Sequence, residues 1–362
     1  MRILFLTYQG FIAGSTFSTF YLARGLAEKG HEVYVGCKSD ELLFELLQDT
    51  KVKTVPIPFK HRLEWESIKI VKNLVREKDI EIINAQASID RYISMIVKKF
   101  FIPEVKVVHT RRQRPSIDSG KLHGWIYKWG TDKIVAVSEG VKQEAVRRMG
   151  IPEEHLKVIH NGTPQEKYED VIGKNPQGLR QKYNLKSEDK IIGCVSRHKK
   201  QEQLIQALQK IKDFKTTVIF VGIARDEIEL KDRAFPQTHN FIFTGRIPPH
   251  KALEYYKLFD IQVLPSITEG LSQTLLESMY MEVPVIATDA MGNPDLVVHK
   301  ETGYLFQDEN LEEMAQYIRT LFQDKKIYKK MAQKAKKRVL KHFTIETVID
   351  NYEKFFQELI KS

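Results

Sequence analysis

The clearest structural pattern in this chain is PSITEGLSQTLLESM, residues 265–279. An apolar run, residues 261–265, leads into it, Gly270 marks a turn, and an amphipathic helical pattern follows. This is the order of a parallel strand, a tight turn and a helix, and ligands of open parallel sheets bind beyond the carboxyl ends of the strands. A helix that begins after a glycine turn offers free backbone N–H groups and a positive dipole end. The stretch therefore predicts a phosphate site.

Two carboxylates frame the predicted turn. Glu269 precedes the glycine, and Glu277 lies about two helical turns further along the chain. At this spacing the two side chains reach different parts of one elongated ligand. The alternative is that Glu277 is a solvated helix residue and that Glu269 only favours the positive end of the helix. The spacing alone leaves both interpretations open.

Short apolar runs alternate with helical periodicity on both sides of this stretch, which is the pattern of a parallel α/β protein. Strands are predicted at residues 3–7, 32–37, 52–57, 80–86, 105–110, 133–137, 157–160, 191–196, 217–222, 241–245, 261–265 and 283–288. Between residues 164 and 190 the pattern gives way to a polar stretch that is long for a connection within one domain. We therefore predict a first domain over residues 1–165 and a second domain that begins at residue 166.

Composition and charge narrow the functional classes. The 362 residues carry 57 Lys and Arg against 47 Asp and Glu, and residues 1–163 hold 26 of the basic and 19 of the acidic residues, so the first half is the more anion-facing. Cys37 and Cys194 have no CxxC spacing, which excludes a disulfide scaffold and a structural zinc site. No apolar run reaches the roughly 18 residues of a membrane span, and no signal peptide is recognised. We expect a cytoplasmic protein.

A basic cluster follows the predicted strand at residues 191–196. Its members are Arg197, His198, Lys199 and Lys200. Positive charge at the carboxyl end of a strand suits a diphosphate, because Arg presents a planar fork of donors and Lys a mobile point charge. The alternative is a solvated basic turn before the helix predicted at residues 201–212.

Two further strand ends in the first half are candidate ligand loops. The strand at residues 3–7 leads to Ala13 and Gly14, small residues that let a ligand approach the backbone; no GxGxxG is present, which argues against an NAD-dependent dehydrogenase. A plain strand-to-helix turn is the alternative. His109 ends the strand predicted at residues 105–110 and precedes Arg111, Arg112 and Arg114, where it either meets ligand hydroxyls or is structural.

Residues 121–130 mix aromatic and basic side chains. Trp125, Tyr127 and Trp129 alternate with Lys121 and Lys128. This pattern fits an interfacial amphipathic helix or an aromatic wall for sugars. We expect ordinary core packing of the three aromatic residues instead.

Taken in order, these pieces resemble the retaining glycosyltransferases of family 4, which have the GT-B fold of two facing Rossmann-like domains with parallel sheets. The resemblance rests on the following segments: residues 22–23, 30–33, 137–141, 158–162, 243–245, 264–279 and 284–288. It implies a C-terminal crossover helix, residues 344–362, that returns to the first, acceptor-binding domain. The second domain, residues 166–343, then binds the nucleotide-sugar donor.

The resemblance assigns roles to individual residues. Glu277 matches the acid that binds the donor ribose, and Glu269 the acid beside the donor sugar. Arg197 and Lys199 match the pair that neutralises the diphosphate, although the short spacing leaves Lys200 open in place of Lys199. The remaining matched positions contact the sugar, the diphosphate or the base, and they are Ala13, Gly14, His109, Thr244, Gly245, Arg246, Gly270, Leu271 and Ser272. Ala13, Ser272, Glu282 and Met291 stand where the family usually has glycine.

The implied reaction moves a hexose from a UDP- or GDP-sugar to an acceptor hydroxyl with retention at the anomeric carbon. It needs no cofactor and no metal, because cations and a helix end hold the leaving diphosphate. The resemblance implies a glycan or glycolipid acceptor, in cell-surface polysaccharide or lipopolysaccharide synthesis, and a peripheral contact of the N-terminal domain with the inner face of the cytoplasmic membrane. Nucleic acid is not expected. A nucleotide-sugar epimerase of the same fold and a non-catalytic basic binding protein remain as alternatives.

Overall fold

The computed structural model describes residues 1–11, 13–116, 120–228 and 235–362. The chain divides into two compact units: the first comprises Met1–Gly162 and Ile345–Ser362, and the second Thr163–Thr344. The sequence-based boundaries, at 165/166 and 343/344, lie close to these. Each unit is built on its own parallel sheet.

The described part of the first unit holds a seven-stranded sheet in the order β3-β2-β1-β4-β5-β6-β7. Its strands are β1 (Arg2–Leu6), β2 (Glu32–Cys37), β3 (Lys53–Pro56), β4 (Ile82–Ala85), β5 (Lys106–Arg111), β6 (Lys133–Ala136) and β7 (Leu156–Val158). Its helices are α1 (Gly14–Glu28), α2 (Leu42–Leu47), α3 (Trp65–Glu77), α4 (Ser88–Phe100), α5 (Lys121–Gly130), α6 (Glu139–Met149) and the C-terminal α15 (Ile345–Lys361). The central strands are buried on both faces, which explains their continuous apolar runs.

The second unit holds a six-stranded sheet within its described residues, in the order β10-β9-β8-β11-β12-β13. The strands are β8 (Ile191–Val195), β9 (Thr217–Val221), β10 (Asn240–Phe243), β11 (Ile261–Leu264), β12 (Val285–Thr288) and β13 (Tyr304–Phe306). The helices are α7 (Glu166–Ile172), α8 (Gln177–Lys182), α9 (Gln201–Leu208), α10 (Pro249–Tyr255), α11 (Gln273–Tyr280), α12 (Asn293–Leu296), α13 (Leu311–Gln323) and α14 (Lys325–His342).

Helix α15 packs against helix α1 in the first unit, and Gly25 permits this close approach. A Cβ atom at Gly25 would lie 2.0 Å from Cδ1 of Ile349, so only glycine fits under that isoleucine. At the edge of the same contact, Lys29 Nζ lies 2.6 Å from Asp350 Oδ1. The last helix is therefore an integral part of the first unit.

The strands predicted from the sequence are confirmed, with ends that shift by at most two residues. The short strand β13 was not predicted, because three residues are too few to show a periodicity. The interpretation of residues 164–190 as a plain polar connection is wrong, since α7 and α8 lie there. Tyr168 of α7 is fully buried and its ring stacks on that of Tyr280 at 3.9 Å between centroids.

Core packing of the aromatic residues of α5 is confirmed only for Tyr127. Trp125 and Trp129 are 62% and 43% exposed, so that prediction is wrong for both. The error comes from periodicity: positions 125 and 129 share one helix face, and position 127 lies on the opposite one.

Glu282, which follows α11, has a left-handed backbone conformation with φ +60°. In this conformation an L side chain destabilises the folded state by about 1–2 kcal/mol. Glycine avoids that strain, but its greater loss of chain entropy on folding costs about 0.5–1 kcal/mol of folding free energy. The Glu282 carboxylate also pairs with Lys336 Nζ at 2.8 Å. The position that usually carries glycine thus holds a strained glutamate.

We expect Glu282→Gly to unfold at a higher temperature than Glu282→Ala, corresponding to about 0.5–1 kcal/mol. Both variants lose the ion pair with Lys336, so their difference isolates the backbone conformation. Thermal denaturation of the two variants measures it. Equal midpoints, or a more stable alanine variant, would contradict the strain.

Candidate functional site

The candidate site of the second unit lies at the carboxyl edge of its sheet. Strands β8 and β11 are parallel neighbours, with Ile192 opposite Ile261 and Gly193 opposite Gln262. The basic loop that follows β8 and the glycine turn that follows β11 therefore emerge side by side at one edge.

Lys199 joins these two loops. Its Nζ lies 3.2 Å from Glu269 Oε1 and donates a hydrogen bond to Thr268 Oγ1 at 3.1 Å. Ser266 Oγ donates to the same Glu269 oxygen at 2.9 Å. Lys200 points elsewhere, because its Nζ pairs with Asp308 at 2.6 Å. The structure thus places Lys199, and not Lys200, at the glycine turn.

The side chain of Gln201 holds the basic loop in place through hydrogen bonds. Its buried side-chain amide donates to Ser196 Oγ at 2.8 Å and to the Arg197 carbonyl at 2.9 Å, and its Oε1 accepts from the Lys199 N–H at 2.7 Å. Sequence reasoning missed this residue, since a glutamine at the start of a helix gives no distinctive signal. Arg197 itself is exposed, and its guanidinium has no hydrogen bond or ion pair with the described residues.

The glycine turn is braced by a buried amide that sequence reasoning also missed. Asn293 Nδ2 donates to the carbonyl oxygens of Ser266 at 3.2 Å and Thr288 at 2.9 Å. The Gly292 N–H donates to the Glu269 carbonyl at 3.1 Å. These bonds fix the backbone that carries Glu269.

Ser272 caps helix α11. Its Oγ accepts from the Leu275 N–H at 3.3 Å, and its φ of −72° is allowed for any residue. Serine in place of the family's glycine therefore costs no backbone strain here. The cap leaves the N-terminal end of α11 beside the Gly270 turn, in the position that attracts an anion.

Glu277 is buried on α11 and is held by two partners. Its Oε2 accepts a hydrogen bond from the Tyr256 hydroxyl at 2.9 Å, and its Oε1 pairs with Lys167. Burial, followed by the Glu277 charge, raises the pKa of Tyr256 well above 10. The interpretation of Glu277 as a solvated helix residue is wrong. Lys167 went unnoticed because it lies in the stretch predicted as a connection.

The turn after β10 lies at the same edge of the sheet. Gly245 has φ +64°, and the space that its Cβ would fill is empty. Thr244 Oγ1 accepts from the Gly222 N–H at 3.1 Å, which ties this turn to the end of β9. Arg246 is exposed. This open backbone corresponds to the positions that the resemblance places beside the base.

In the first unit, Ala13 and Gly14 open helix α1. Ala13 is its N-cap with an extended backbone, φ −155°, so alanine causes no strain at this position. A Cβ at Gly14 would meet no atom within 4 Å. The backbone at the start of α1 is therefore accessible to a ligand, and the neighbouring Ile12 lies outside the described residues.

His109 lies within β5 and not at its end, because the strand continues to Arg111. The residue is 2% exposed, and its ring meets Tyr127 edge-on at 5.4 Å between centroids. Burial, followed by the charges of Arg91 and Arg111, lowers the pKa of His109 well below 6.5. The imidazole is therefore neutral near pH 7, and its Nε2 has no hydrogen-bond partner among the described residues.

Three arginines without a carboxylate partner in the described parts of the chain lie in or beside the end of β5: Arg91, Arg111 and Arg112. Arg91 donates to the Thr110 carbonyl at 3.0 Å, and Arg112 donates to neutral Asn161 Oδ1 at 2.8 Å. Arg111 is buried against Tyr127, and burial lowers the pKa of Arg111 to about 10. A buried cation is normally paired, so Arg111, together with the half-buried Arg91 and Arg112, favours a bound anion.

Within the described residues, no group of three His, Cys, Asp or Glu side chains is arranged to hold a metal ion. Cys37 and Cys194 are buried free thiols. Among the helices of the described ranges, none combines the length and apolar character needed to cross a membrane.

Two family models match the chain, one in each half. Residues 12–167 match the model for Glycosyltransferase Family 4, and residues 177–338 match that for Glycosyl transferases group 1. Together they cover nearly the whole chain, including the candidate residues of each unit.

Several known proteins are similar to the chain along almost its full length. An uncharacterized glycosyltransferase of Methanocaldococcus jannaschii is 24% identical over 96% of both chains. The N-acetyl-alpha-D-glucosaminyl L-malate synthase of Bacillus anthracis is 21% identical over 97% of this chain and 95% of its own. The crystal structure of Anabaena HepE in complex with UDP superposes with a TM-score of 0.79 at 20% identity, over 99% of this chain and 100% of that one, and HepE has also been crystallised with UDP-glucose. The chain therefore belongs to the group 1 glycosyltransferases of family 4 and has their GT-B fold of two Rossmann-like domains.

Proposed function

We propose that this glycosyltransferase moves a hexose from a UDP- or GDP-sugar to an acceptor hydroxyl with retention at the anomeric carbon. The observation that carries the proposal is the contact of Lys199 with the glycine turn before α11. Arg197, two residues earlier in the same loop, is exposed. That HepE binds UDP and UDP-glucose supports a nucleotide-sugar donor for this chain as well.

The second unit would hold the donor by its charges. Arg197 and Lys199 neutralise the diphosphate, and the amides of the Gly270 turn add the positive end of α11. Cations and dipoles fixed before the reaction stabilise the departing diphosphate without reorganising, so a metal ion is not required. Glu269, which is paired with Lys199, would lie on the side of this diphosphate site that faces the sugar.

Glu277 would bind the donor ribose. A carboxylate accepts hydrogen bonds from two adjacent hydroxyl groups, and Tyr256 fixes the orientation of this one. Lys167 places a positive charge beside the other oxygen of this buried carboxylate. Tyr256 and Lys167 are therefore positioning residues for this contact.

The chemical step that we propose takes place on one face of the sugar. The bond between the anomeric carbon and the diphosphate oxygen breaks, and the acceptor oxygen forms its bond to that carbon on the same face. The acceptor proton passes to the departing phosphate oxygen, so no protein nucleophile is consumed. The neutral imidazole of His109 contributes a hydrogen bond to a sugar hydroxyl rather than a charge.

The acceptor that we propose is a glycan or glycolipid with an anionic group, as in cell-surface polysaccharide or lipopolysaccharide synthesis. The arginines of the first unit that lack a carboxylate partner among the described residues support an anion there. The name of the Bacillus anthracis relative includes L-malate, a dicarboxylate, which supports an anionic acceptor in a similar chain.

Replacing Lys199 by Gln should lower turnover about 10²-fold, since one fixed donor to the leaving group is lost. Lys200→Gln is the matched control and should change turnover less than about 3-fold, because Lys200 pairs with Asp308. A thermal-shift panel of UDP-, GDP- and ADP-sugars selects the donor, and release of the nucleoside diphosphate measures turnover. Equal rates for the two variants would contradict the assignment, and a donor isomerised without transfer would indicate an epimerase.

The depressed pKa of His109 predicts a pH dependence of stability. Below about pH 6.5 the unfolded chain binds a proton at this histidine that the folded chain excludes, so folding stability falls as the pH drops toward the folded pKa. His109→Gln should flatten this loss by up to about 1.4 kcal/mol per pH unit. The exposed His250→Gln is the control. Denaturant unfolding at pH 7.5 and 5.5 measures the free energy of unfolding of each protein. If this free energy changes with pH equally in His109→Gln and in wild type, the neutral, buried imidazole is contradicted.

A further inference from the structure

An aromatic patch covers part of the first unit. It consists of Trp65, Phe100, Leu122, Trp125 and Trp129, which are 63%, 68%, 69%, 62% and 43% exposed. These include all three tryptophans of the chain. Soluble proteins rarely leave such large apolar side chains together in water unless the surface binds a partner.

The members of the patch are continuous in space. Trp125 and Trp129 stack on one face of α5, with centroids 6.4 Å apart, and Trp129 meets Phe100 edge-on at 6.1 Å. Phe101, next in the chain, meets Trp65 of α3 at 5.9 Å. Three consecutive helices thus contribute to one surface.

Lysines surround these rings. Lys99 Nζ lies 5.1 Å from the centre of the Trp129 ring, and Lys72 Nζ lies 5.6 Å from that of Phe101. Lys121 and Lys128 are exposed on α5, which contains no acidic residue. None of these four lysines forms an ion pair with a residue in the described ranges. The patch therefore combines tryptophan rings with uncompensated positive charge.

We propose that the aromatic patch docks on the surface of an anionic phospholipid bilayer. Tryptophan is suited to the headgroup region because its ring is apolar and its N–H is polar, and lysine extends its charge toward lipid phosphates. Lysine is depleted in protein–protein interfaces, so its abundance here favours lipid over a protein partner. This inference does not depend on the proposed donor or acceptor.

Helix α5 connects the patch to the candidate acceptor side of the first unit. Trp125 and Trp129 point outward, while Tyr127 on the opposite face contacts His109 and Arg111. A bilayer on the patch would therefore lie one helix away from the arginine group. An acceptor anchored in lipid would be presented close to it.

The chain offers a direct reporter of this docking, because every tryptophan lies in the patch. The full-length protein is mixed with vesicles of phosphatidylcholine alone or with 30% phosphatidylglycerol. With the anionic vesicles we expect co-sedimentation, a blue shift of tryptophan emission and quenching by brominated lipid. All three should weaken at high salt, which screens the lysines.

The Trp125→Ser/Trp129→Ser double variant should lower the vesicle affinity at least 10-fold, with nucleotide binding and thermal stability unchanged. Its matched control is Ile172→Ser/Leu340→Ser, which removes two apolar side chains of the second unit, 48% and 40% exposed, and should bind vesicles like wild type. If the double variant bound the anionic vesicles as tightly as wild type, the proposal would be overturned. Vesicle binding without a change in tryptophan emission would also overturn it, as would an emission shift that follows protein concentration without lipid, which would indicate self-association. None of these results tests the proposed donor site. Nucleotide binding by the double variant is measured separately and tests that site.

Discussion

Strands β8 and β11 pair in parallel, and the donor site that we propose for the second unit depends on this pairing. It brings the end of the basic loop and the start of the glycine turn to one edge of the sheet, so Lys199 can reach Glu269 and Thr268. An antiparallel pair would send the two loops to opposite edges. The buried amides of Gln201 and Asn293 then hold the backbone of the two loops in place.

The first unit is marked by positive charge near a buried histidine, His109. It buries a neutral histidine among arginines that have no carboxylate partner in the described residues, an arrangement that is costly unless an anion binds. The aromatic patch lies on the outer face of the helix whose inner residue, Tyr127, contacts this group. Helix α5 therefore has the arginine group on its inner side and the aromatic patch on its outer side.

The sequence predicted what depends on local pattern. Apolar runs located the strands, and the ordered motif located Glu269, Gly270 and Glu277, because a strand, a turn and a helix leave their mark in consecutive residues. Lys167 and Asn293 left no such mark, since their importance comes from contacts with Glu277 and Ser266 that lie far away in the sequence. The exposure of Trp125 could not be deduced from residue type, because a tryptophan fits a core as well as an interface.

We propose that the carboxyl edge of the second sheet binds a diphosphate without a metal ion. Calorimetric titration of the wild-type protein with the nucleoside diphosphate of its preferred donor, and with the matching monophosphate, tests it directly when a chelator is present. We expect the diphosphate to bind at least about 10-fold more tightly than the monophosphate, a difference of about 1.4 kcal/mol. Equal affinities, or binding that appears only when a divalent cation is added, would contradict it.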